Sequence, residues 1–318
     1  MTTNENQILV GIDAGGSKTH IRVVSGQDGS VLADRILEST GWTNLDDTQR
    51  ADTLLSIVET VATPLGDVAV IVAGVHGNDS PEQEAILREP LAARFPLVRI
   101  LNDSHLLILA FGKNSGTGLI AGTGSSVTAT TDKGVITVGG WGWILGDEGG
   151  AAGIVRDAAK QVLEAYDRGE DDAFSANFLA YFDVDHPHGL AQIFATVEPR
   201  IWAKAASLVF EAALAGSTRA QAVIDHHARA LAQQVALLKQ RNGDVETVVC
   251  AGGVIVSQPS LFNAFTLEVH QLVGDTTRTA LLLEPPVTGA LNLARQLYAT
   301  AQKGINETEL QKADRVLI

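Results

Sequence analysis

A pattern of three strands joined by two turns occurs twice in this chain of 318 residues. In residues 8–34, an apolar strand leads through a turn of small residues to a second strand, and a glycine-containing turn leads to a third. Residues 117–138 follow the same order, with Asp132-Lys133-Gly134 as the second turn. Residue identity between the segments is weak, but the matching order of elements predicts a structural duplication.

The remaining chain alternates strands and helices, which predicts an α/β fold. Because 318 residues are long for one hydrophobic core, we expect two domains, 1–112 and 113–318, the second with a helical insertion. A last strand is predicted at residues 280–283. The helix that follows Pro285-Pro286 is a candidate to return to the N-terminal domain.

One predicted buried strand ends at a carboxylate. Residues 97–101 are mostly apolar, Asn102 and Asp103 follow, and a helical pattern begins at Ser104. Ligands of open α/β folds bind at the carboxyl ends of the strands, so Asp103 is a candidate general base for phosphoryl transfer. The alternative is that Asp103 only caps the next helix.

The first small-residue turn contains Asp13, Gly15, Gly16, Ser17 and Thr19. Such a turn exposes backbone N–H groups to an anion, and the hydroxyls can add donors. Asp13 would then face Mg²⁺, through water, because this ion keeps much of its hydration. The spacing misses a P-loop because Ser17 stands where lysine is required. An ordinary hairpin turn is the alternative.

Gly122-Thr123-Gly124-Ser125-Ser126 is a second turn of the same kind. Val127 stands where the dinucleotide fingerprint needs its third glycine, so that fingerprint is not met. Further along, Gly252-Gly253 follows a predicted strand and would allow close approach of a flat ligand such as adenine. Plain turns are the alternative in both places.

The segment 139–150 combines six glycines with Trp141, Trp143, Asp147 and Glu148. Tryptophan rings suit the apolar face of a pyranose, and carboxylates accept hydrogen bonds from its hydroxyls. The alternative is a loop with core tryptophans in which an acidic residue caps the next helix. Asn44, in an earlier polar loop, is a further candidate sugar contact.

Composition excludes several classes of protein. Lys and Arg total 23 against 37 Asp and Glu, a net charge of −14, which argues against nucleic acid as the main partner. Cys250 is the single cysteine, so an intrachain disulfide or a multi-cysteine metal site is impossible. No long apolar run predicts a membrane span, and the polar N-terminus predicts a cytoplasmic protein. Solvent or core roles are expected for His76, His105, His186, His188, His226 and His227.

Over about residues 8–300, the chain resembles the N-acetylglucosamine kinase and glucosamine kinase group of the superfamily that also contains actin and the heat-shock chaperone ATPases. The segments that carry the resemblance are Gly11 to Thr19, Asn102-Asp103, Gly122 to Ser125, Gly139-Gly140-Trp141-Gly142 and Gly146-Asp147-Glu148-Gly149. The resemblance implies two duplicated actin-like (ribonuclease H-like) domains that close over ATP and sugar at an interdomain cleft. It also suggests a homodimer.

Site roles follow residue by residue from the same resemblance. Asp103 matches the catalytic base, and Asp13 lies near Mg²⁺. The residues that match ATP- or phosphate-binding positions are Gly15, Gly16, Ser17, Lys18, Thr19, Gly122, Thr123, Gly124, Ser125, Gly252 and Gly253. The residues that match positions near the sugar are Asn44, Asp103, Thr123, Gly124 and Asp147. Trp141 and Glu148 are added because of their side-chain chemistry in segment 139–150. Related iron–sulfur activator ATPases and zinc-containing sugar kinases need cysteines that this chain lacks.

The sequence therefore predicts an ATP-dependent kinase that phosphorylates the 6-hydroxyl of N-acetylglucosamine or glucosamine. Acetylated sugar and free amine remain alternatives, because Trp143 would suit an acetyl methyl and Glu148 an ammonium group. A nucleotide-dependent sensor that binds sugar or a protein partner without useful turnover is the competing hypothesis. The intact Asp103 favours the kinase, since a pure binder needs no base.

Overall fold

The computed structural model describes residues 6–16, 18–39 and 41–303. The chain folds into two compact units. One comprises the described residues up to Gly118, with Ala129–Ile136 and the described residues from Leu282 onward; the other comprises Leu119–Thr128 and Thr137–Leu281. The predicted domain boundary after residue 112 stays a prediction.

The first unit contains a five-stranded sheet with helices on both faces. Its elements before Gly118 are β1 (Gln7–Ala14), β2 (Lys18–Ser25), β3 (Val31–Glu38), α1 (Asp47–Val61), β4 (Asp67–Val75), α2 (Pro81–Ala92), β5 (Val98–Asn102) and α3 (His105–Ala110). Asp46 caps α1 in a capping box with Gln49, and Ser80 caps α2 ahead of Pro81 at its first position.

The second sheet also has five strands. Its strands are β6 (Thr117–Ala121), β7 (Ser125–Thr131), β8 (Gly134–Gly139), β9 (Thr247–Ala251) and β10 (Arg278–Leu281). The helices between and after them are α4 (Ala151–Asp167), α5 (Ala173–Tyr181), α6 (His188–Thr196), α7 (Pro199–Trp202), α8 (Ala206–Leu214), α9 (Thr218–Gln240), α10 (Gly253–Ser257), α11 (Pro259–Leu272) and α12 (Val287–Gln302).

The strand orders confirm the predicted duplication. The first sheet has the order β3-β2-β1-β4-β5, and the second has the equivalent order β8-β7-β6-β9-β10. The last strand had been predicted at 280–283, but it is Arg278–Leu281, because its pairing with β9 places Leu281 opposite Cys250. Leu283 lies beyond the paired residues and is 83% exposed. The strand is predicted to end at Leu283 because this residue is apolar, but it ends two residues earlier.

Two apolar cores hold the first sheet. One face packs against α1 and α2, and the other packs against α3 and α12. Helix α12 lies directly on β1 and β4, with Leu291 and Leu297 buried there. Gly289 permits the close approach of α12 to α3, since a Cβ there would lie 2.1 Å from the carbonyl oxygen of Leu106. Every helix within the described ranges is too short or too polar to cross a bilayer.

Candidate active site

The register of the first sheet places three strand ends side by side. Strand β1 is parallel to β4, and β4 is parallel to β5, so Ala14, Val75 and Asn102 are consecutive partners across the sheet. All three carboxyl ends therefore lie at one edge, where open α/β sheets bind ligands. Asp13 comes from the end of β1, and His76 and Asp103 directly follow β4 and β5.

Asp103 forms an ion pair with His76 at this edge. The Nδ1 atom of His76 lies 3.4 Å from Oδ2 of Asp103, with side-chain exposures of 47% and 8%. The hydrogen bond to Asp103 is the largest cause of a raised pKa at His76. The N-cap residue of helix α3 is Ser104, not Asp103, and the helix has no side-chain cap hydrogen bond.

The edge is crowded with carboxylates. Burial, followed by the charge of Asp103, raises the pKa of Asp13 to about 7, with Lys18 and His76 acting in the opposite direction. Burial and the charge of Asp103 likewise raise the pKa of Asp79. A cluster in which carboxyls resist ionisation is short of positive charge and would gain from a bound cation.

Asn102 ties the loop after β4 to the end of β5. Its amide nitrogen donates to the carbonyl of Asn78 at 3.1 Å and to Oδ1 of Asp79 at 2.9 Å. Its amide oxygen accepts from the backbone N–H of Ser104 at 3.0 Å and from the Ser104 hydroxyl at 2.6 Å. Because both loops hold Asn102, the positions of His76 and Asp103 are fixed relative to each other.

The first predicted phosphate turn joins β1 to β2 as a hairpin connection. The N–H of Gly15 donates to the carbonyl of Lys18 at 3.0 Å, and the Lys18 side chain is exposed. Thr19 is buried, and its hydroxyl bonds that of Ser39 at 2.7 Å. Gly16 lies in the bend, and Ser17 lies outside the described residues. Asn44 is exposed at the end of the short 3₁₀ helix Trp42–Asn44.

The second predicted phosphate turn joins β6 to β7 and is fastened to the start of α4. Inside the turn, the N–H of Gly122 donates to the carbonyl of Gly124 at 2.9 Å. The first N–H groups of α4 also donate to this turn, from Ala151 to the Gly122 carbonyl at 2.8 Å and from Ala152 to the Thr123 carbonyl at 3.1 Å. The turn therefore satisfies two of the orphan N–H groups at the start of the helix.

Asp147 and Glu148 lie against the same turn. The N–H of Ser125 donates to Oδ1 of Asp147 at 3.3 Å, and the Ser125 hydroxyl donates to the Glu148 carbonyl at 2.7 Å. Asp147 has φ of 62°, a left-handed conformation that is uncommon for residues other than glycine. Helix α4 begins after Gly150, so the N-cap position is held by a glycine and by neither of the two acidic residues.

Gly252-Gly253 lies beside the second turn. A Cβ at Gly252, which has φ of 107°, would lie 2.4 Å from the Ala121 carbonyl oxygen, and a Cβ at Gly122 would lie 3.9 Å from the Gly253 nitrogen. The structure thus brings two predicted nucleotide-binding segments together. Trp141 is 74% exposed, whereas Trp143 is half-buried with its ring edge-to-face on Trp202.

His76 and Asp79 at this edge were not predicted from the sequence as site residues. Only the pairing of β4 with β5 brings His76 to Asp103, and that pairing is not visible in the sequence. A usable signal is nevertheless present in the sequence: His76 directly follows a buried apolar strand, as Asp103 does.

The residues at this edge can be tested for fit to Mg²⁺. Within the described ranges, no group of three or more His, Cys, Asp or Glu side chains is arranged to hold a metal ion by itself. Mg²⁺ usually takes only one or two carboxylates and completes its shell with water and phosphates. Asp13, a carboxyl with a raised pKa beside a second carboxylate, fits such a partial donor set.

Comparison with solved structures identifies the fold. The fold is similar to that of a Chromobacterium violaceum protein provisionally assigned as an N-acetylglucosamine kinase, with a TM-score of 0.70, 21% identity, and coverage of 92% of this chain and 100% of that one. A ROK hexokinase from Thermus thermophilus matches with a TM-score of 0.54 and 17% identity over 90% and 98% of the two chains. The fold is therefore that of the actin-like sugar kinases.

The particular family follows from the sequence. The model of the BadF/BadG/BcrA/BcrD ATPase family matches residues 10–291, and the chain belongs to this family. A curated relative, the N-acetylmuramic acid/N-acetylglucosamine kinase of Clostridium acetobutylicum, is 27% identical over 275 residues, covering 81% of this chain and 88% of the relative.

Proposed function

We propose that this chain is an ATP-dependent sugar kinase that transfers a phosphoryl group to the 6-hydroxyl of N-acetylglucosamine. Family membership and the curated relative support the class of reaction. The observation that carries the proposal is the 3.4 Å pair of Asp103 and His76, set beside Asp13 where three strands end.

Asp103 is the group that accepts the hydroxyl proton. A phosphoryl-transfer enzyme contributes mainly positioning and charge stabilisation, and its base must hold a defined place relative to the attacking oxygen. His76 holds one carboxylate oxygen of Asp103 through Oδ2, which leaves Oδ1 for the substrate hydroxyl. Asn102 keeps the loop that bears His76 against the end of β5.

The phosphates of ATP are assigned to the two turns. In the first unit, the turn that follows Asp13 would bind phosphate oxygens through backbone N–H groups other than that of Gly15, which donates to the Lys18 carbonyl. The exposed Lys18 would add positive charge. Asp13 would hold Mg²⁺, which when bound supplies positive charge that offsets the charge on the transferring group. In the second unit, Gly122 to Ser125 would bind phosphate, and Gly252-Gly253 would lie against the adenosine.

The sugar is assigned to polar groups that can accept or donate hydrogen bonds. Asp147 and Glu148 accept from hydroxyls of the ring, and the exposed Trp141 ring suits the apolar pyranose face. Backbone groups of Thr123 and Gly124 and the exposed amide of Asn44 are the remaining contacts in this proposal.

An ATP-depletion assay over a panel of sugars, with Mg²⁺ present, tests the proposal. The panel contains N-acetylglucosamine, glucosamine, glucose and N-acetylmuramic acid, the last because the curated relative's name includes it. N-acetyl-6-deoxyglucosamine is the matched control, because it lacks only the attacking hydroxyl. We expect the highest kcat/KM with N-acetylglucosamine and no turnover of the deoxy sugar.

Other outcomes of this assay identify the alternatives. A higher kcat/KM for glucosamine would make the chain a kinase of the free amine. Turnover of the 6-deoxy sugar would place the phosphate on another oxygen. ATP binding without transfer to any sugar would support the nucleotide-dependent sensor and refute the kinase.

A further inference from the structure

The segment that carries Asp147 and Glu148 is held by its backbone on both sides. On one side, Nη1 of Arg156 donates to the Gly146 carbonyl at 2.9 Å and also to the carbonyl of Trp143. On the other side, the backbone N–H of Gly149 donates to Nδ1 of His227 at 2.9 Å. The two acidic residues thus lie between two fixed points.

Both fixed points lead to one carboxylate. Asp157 accepts from Nε and Nη2 of Arg156, each at 3.1 Å, in a two-pronged ion pair. Its Oδ2 also lies 3.3 Å from Nε2 of His227, a close polar contact that falls short of a full hydrogen bond. Arg156 and Asp157 lie on α4 and His227 lies on α9, so two helices meet at this carboxylate.

His227 is held in one protonation state. Its side chain is fully buried, and Nδ1 must be unprotonated to accept the Gly149 N–H, which places the ring proton on Nε2 towards Asp157. Burial is the largest cause of a lowered pKa at His227; His226 and Arg156 act in the same direction, and Asp157 opposes them. The ring is therefore a neutral acceptor for the loop.

The loop needs such support because its backbone is unusual. Asp147 at φ 62° and Gly149 at φ 83° are both left-handed, and the helix that follows has no side-chain cap. A non-glycine residue in this region persists only where its surroundings fix it. The contacts from Arg156 and His227 are those surroundings.

We propose that His227 and Arg156, joined through Asp157, form a positioning clamp that fixes Asp147 and Glu148 for sugar binding. The sugar-binding part rests on the function proposed above, whereas the clamp itself does not. None of the three clamp residues is assigned a contact with sugar or ATP. Their loss should weaken the site through the displacement of Asp147 and Glu148.

The test compares His227→Leu with His227→Asn in the full chain. Leucine fills much of the ring's volume but cannot accept from Gly149, whereas the Asn Oδ1, like Nδ1, is attached to Cγ and can accept. Hydrogen exchange of the amides in residues 139–150 measures the clamp without any activity. In His227→Leu we expect exchange there to become about ten-fold faster, as the loss of one buried hydrogen bond implies.

Kinetics form the second readout. The sugar KM of His227→Leu should rise about ten-fold, while its KM for ATP stays within about two-fold of wild type. His227→Asn should restore both the slow exchange and the sugar KM to within about three-fold of wild type. If the leucine variant does not fold, Arg156→Gln removes the other fixed point and should give the same local rise in exchange.

The two proposals fail in different ways. Wild-type exchange rates over residues 139–150 in folded His227→Leu would overturn the clamp, whatever the enzyme does. Faster exchange without any change in sugar KM would overturn its role in sugar binding. A wild-type protein that phosphorylates no sugar would refute the kinase function, and the exchange data would still decide the clamp.

Discussion

Gly124→Ala is the perturbation that most directly links the second turn to Asp147. A Cβ at residue 124 would lie 2.7 Å from Oδ2, 2.9 Å from Cγ and 3.1 Å from Oδ1 of Asp147. Ordinary contact needs about 3.5 Å, so the carboxylate would have to move by roughly 0.8 Å. Its freedom to do so is limited, because Ser125 contacts Oδ1 and both flanks of the loop are fixed.

The magnitude follows from the cost of overpacking. An added methyl group in a packed site costs about 1–3 kcal/mol, and the partly exposed carboxylate can relax somewhat, so we expect about 1.5 kcal/mol for Gly124→Ala. In an Asp147→Gly background the three close atoms are absent, and glycine accepts the left-handed backbone. The same substitution should then cost less than about 0.5 kcal/mol.

Urea unfolding of wild type, both single variants and the double variant measures this coupling. We expect a coupling energy of about 1 kcal/mol or more between positions 124 and 147. Strictly additive free energies of unfolding would refute the proposed contact. In the kinetic assay, Gly124→Ala should raise the sugar KM if Asp147 contacts the ring hydroxyls as proposed, because the substitution displaces its carboxylate.

Three further predictions concern the first unit. His76→Asn should lower kcat about three- to ten-fold with little change in the sugar KM. The effect is modest because the His76 ring is 47% exposed. An unchanged kcat would show that His76 does not act in the site. The apparent affinity for Mg²⁺ should rise between pH 6 and pH 8, because the pKa of Asp13 is raised to about 7 and a proton therefore competes with the cation. Measurements of the KM for Mg²⁺ at several pH values check this, and Asp13→Asn should flatten the dependence. Burial lowers the pKa of His105 to about 4, so this histidine is protonated at a higher pH in the unfolded chain than in the folded one. The free energy of unfolding should therefore fall, by at most about 3 kcal/mol, as the pH drops from 6.5 towards 4. His105→Leu should remove that part of the slope in urea unfolding at several pH values, and an unaltered slope would contradict the assignment.

Strands with a strong local signal were predicted well. Within β4, residues 68–73 are a continuous apolar run, and such a run predicts a strand buried on both faces of a parallel sheet. The turns predicted at residues 13–19 and 122–126 exist but are shorter than predicted, because β1 extends to Ala14, β2 begins at Lys18 and β7 begins at Ser125. They were visible because small residues interrupt the apolar alternation there. The duplicated topology followed from the order of these elements.

Contacts between distant elements were not predictable from the sequence. The approach of His76 to Asp103 depends on the pairing of β4 with β5, and that of His227 to Asp157 depends on how α9 lies on α4. Helical periodicity shows which face of a helix is buried but not which helix covers it. His227 therefore looked like an ordinary core histidine, although it holds the backbone of the acidic loop.

The tryptophan-rich segment shows a second limit. From the sequence, Trp141 and Trp143 are either both core residues or both sugar contacts, but in the structure they have different environments. Trp143 packs on Trp202, while Trp141 is 74% exposed. Glycines on both sides allow the chain to reverse between them, so residues two positions apart have different environments.

The turnover of Asp103→Asn with N-acetylglucosamine and saturating ATP tests the central claim most directly. Asparagine keeps the shape of the side chain but cannot accept the hydroxyl proton. We predict that kcat falls by about 10²- to 10⁴-fold while the sugar dissociation constant changes by less than about three-fold. A kcat within about ten-fold of wild type would contradict the assignment of Asp103 as the base.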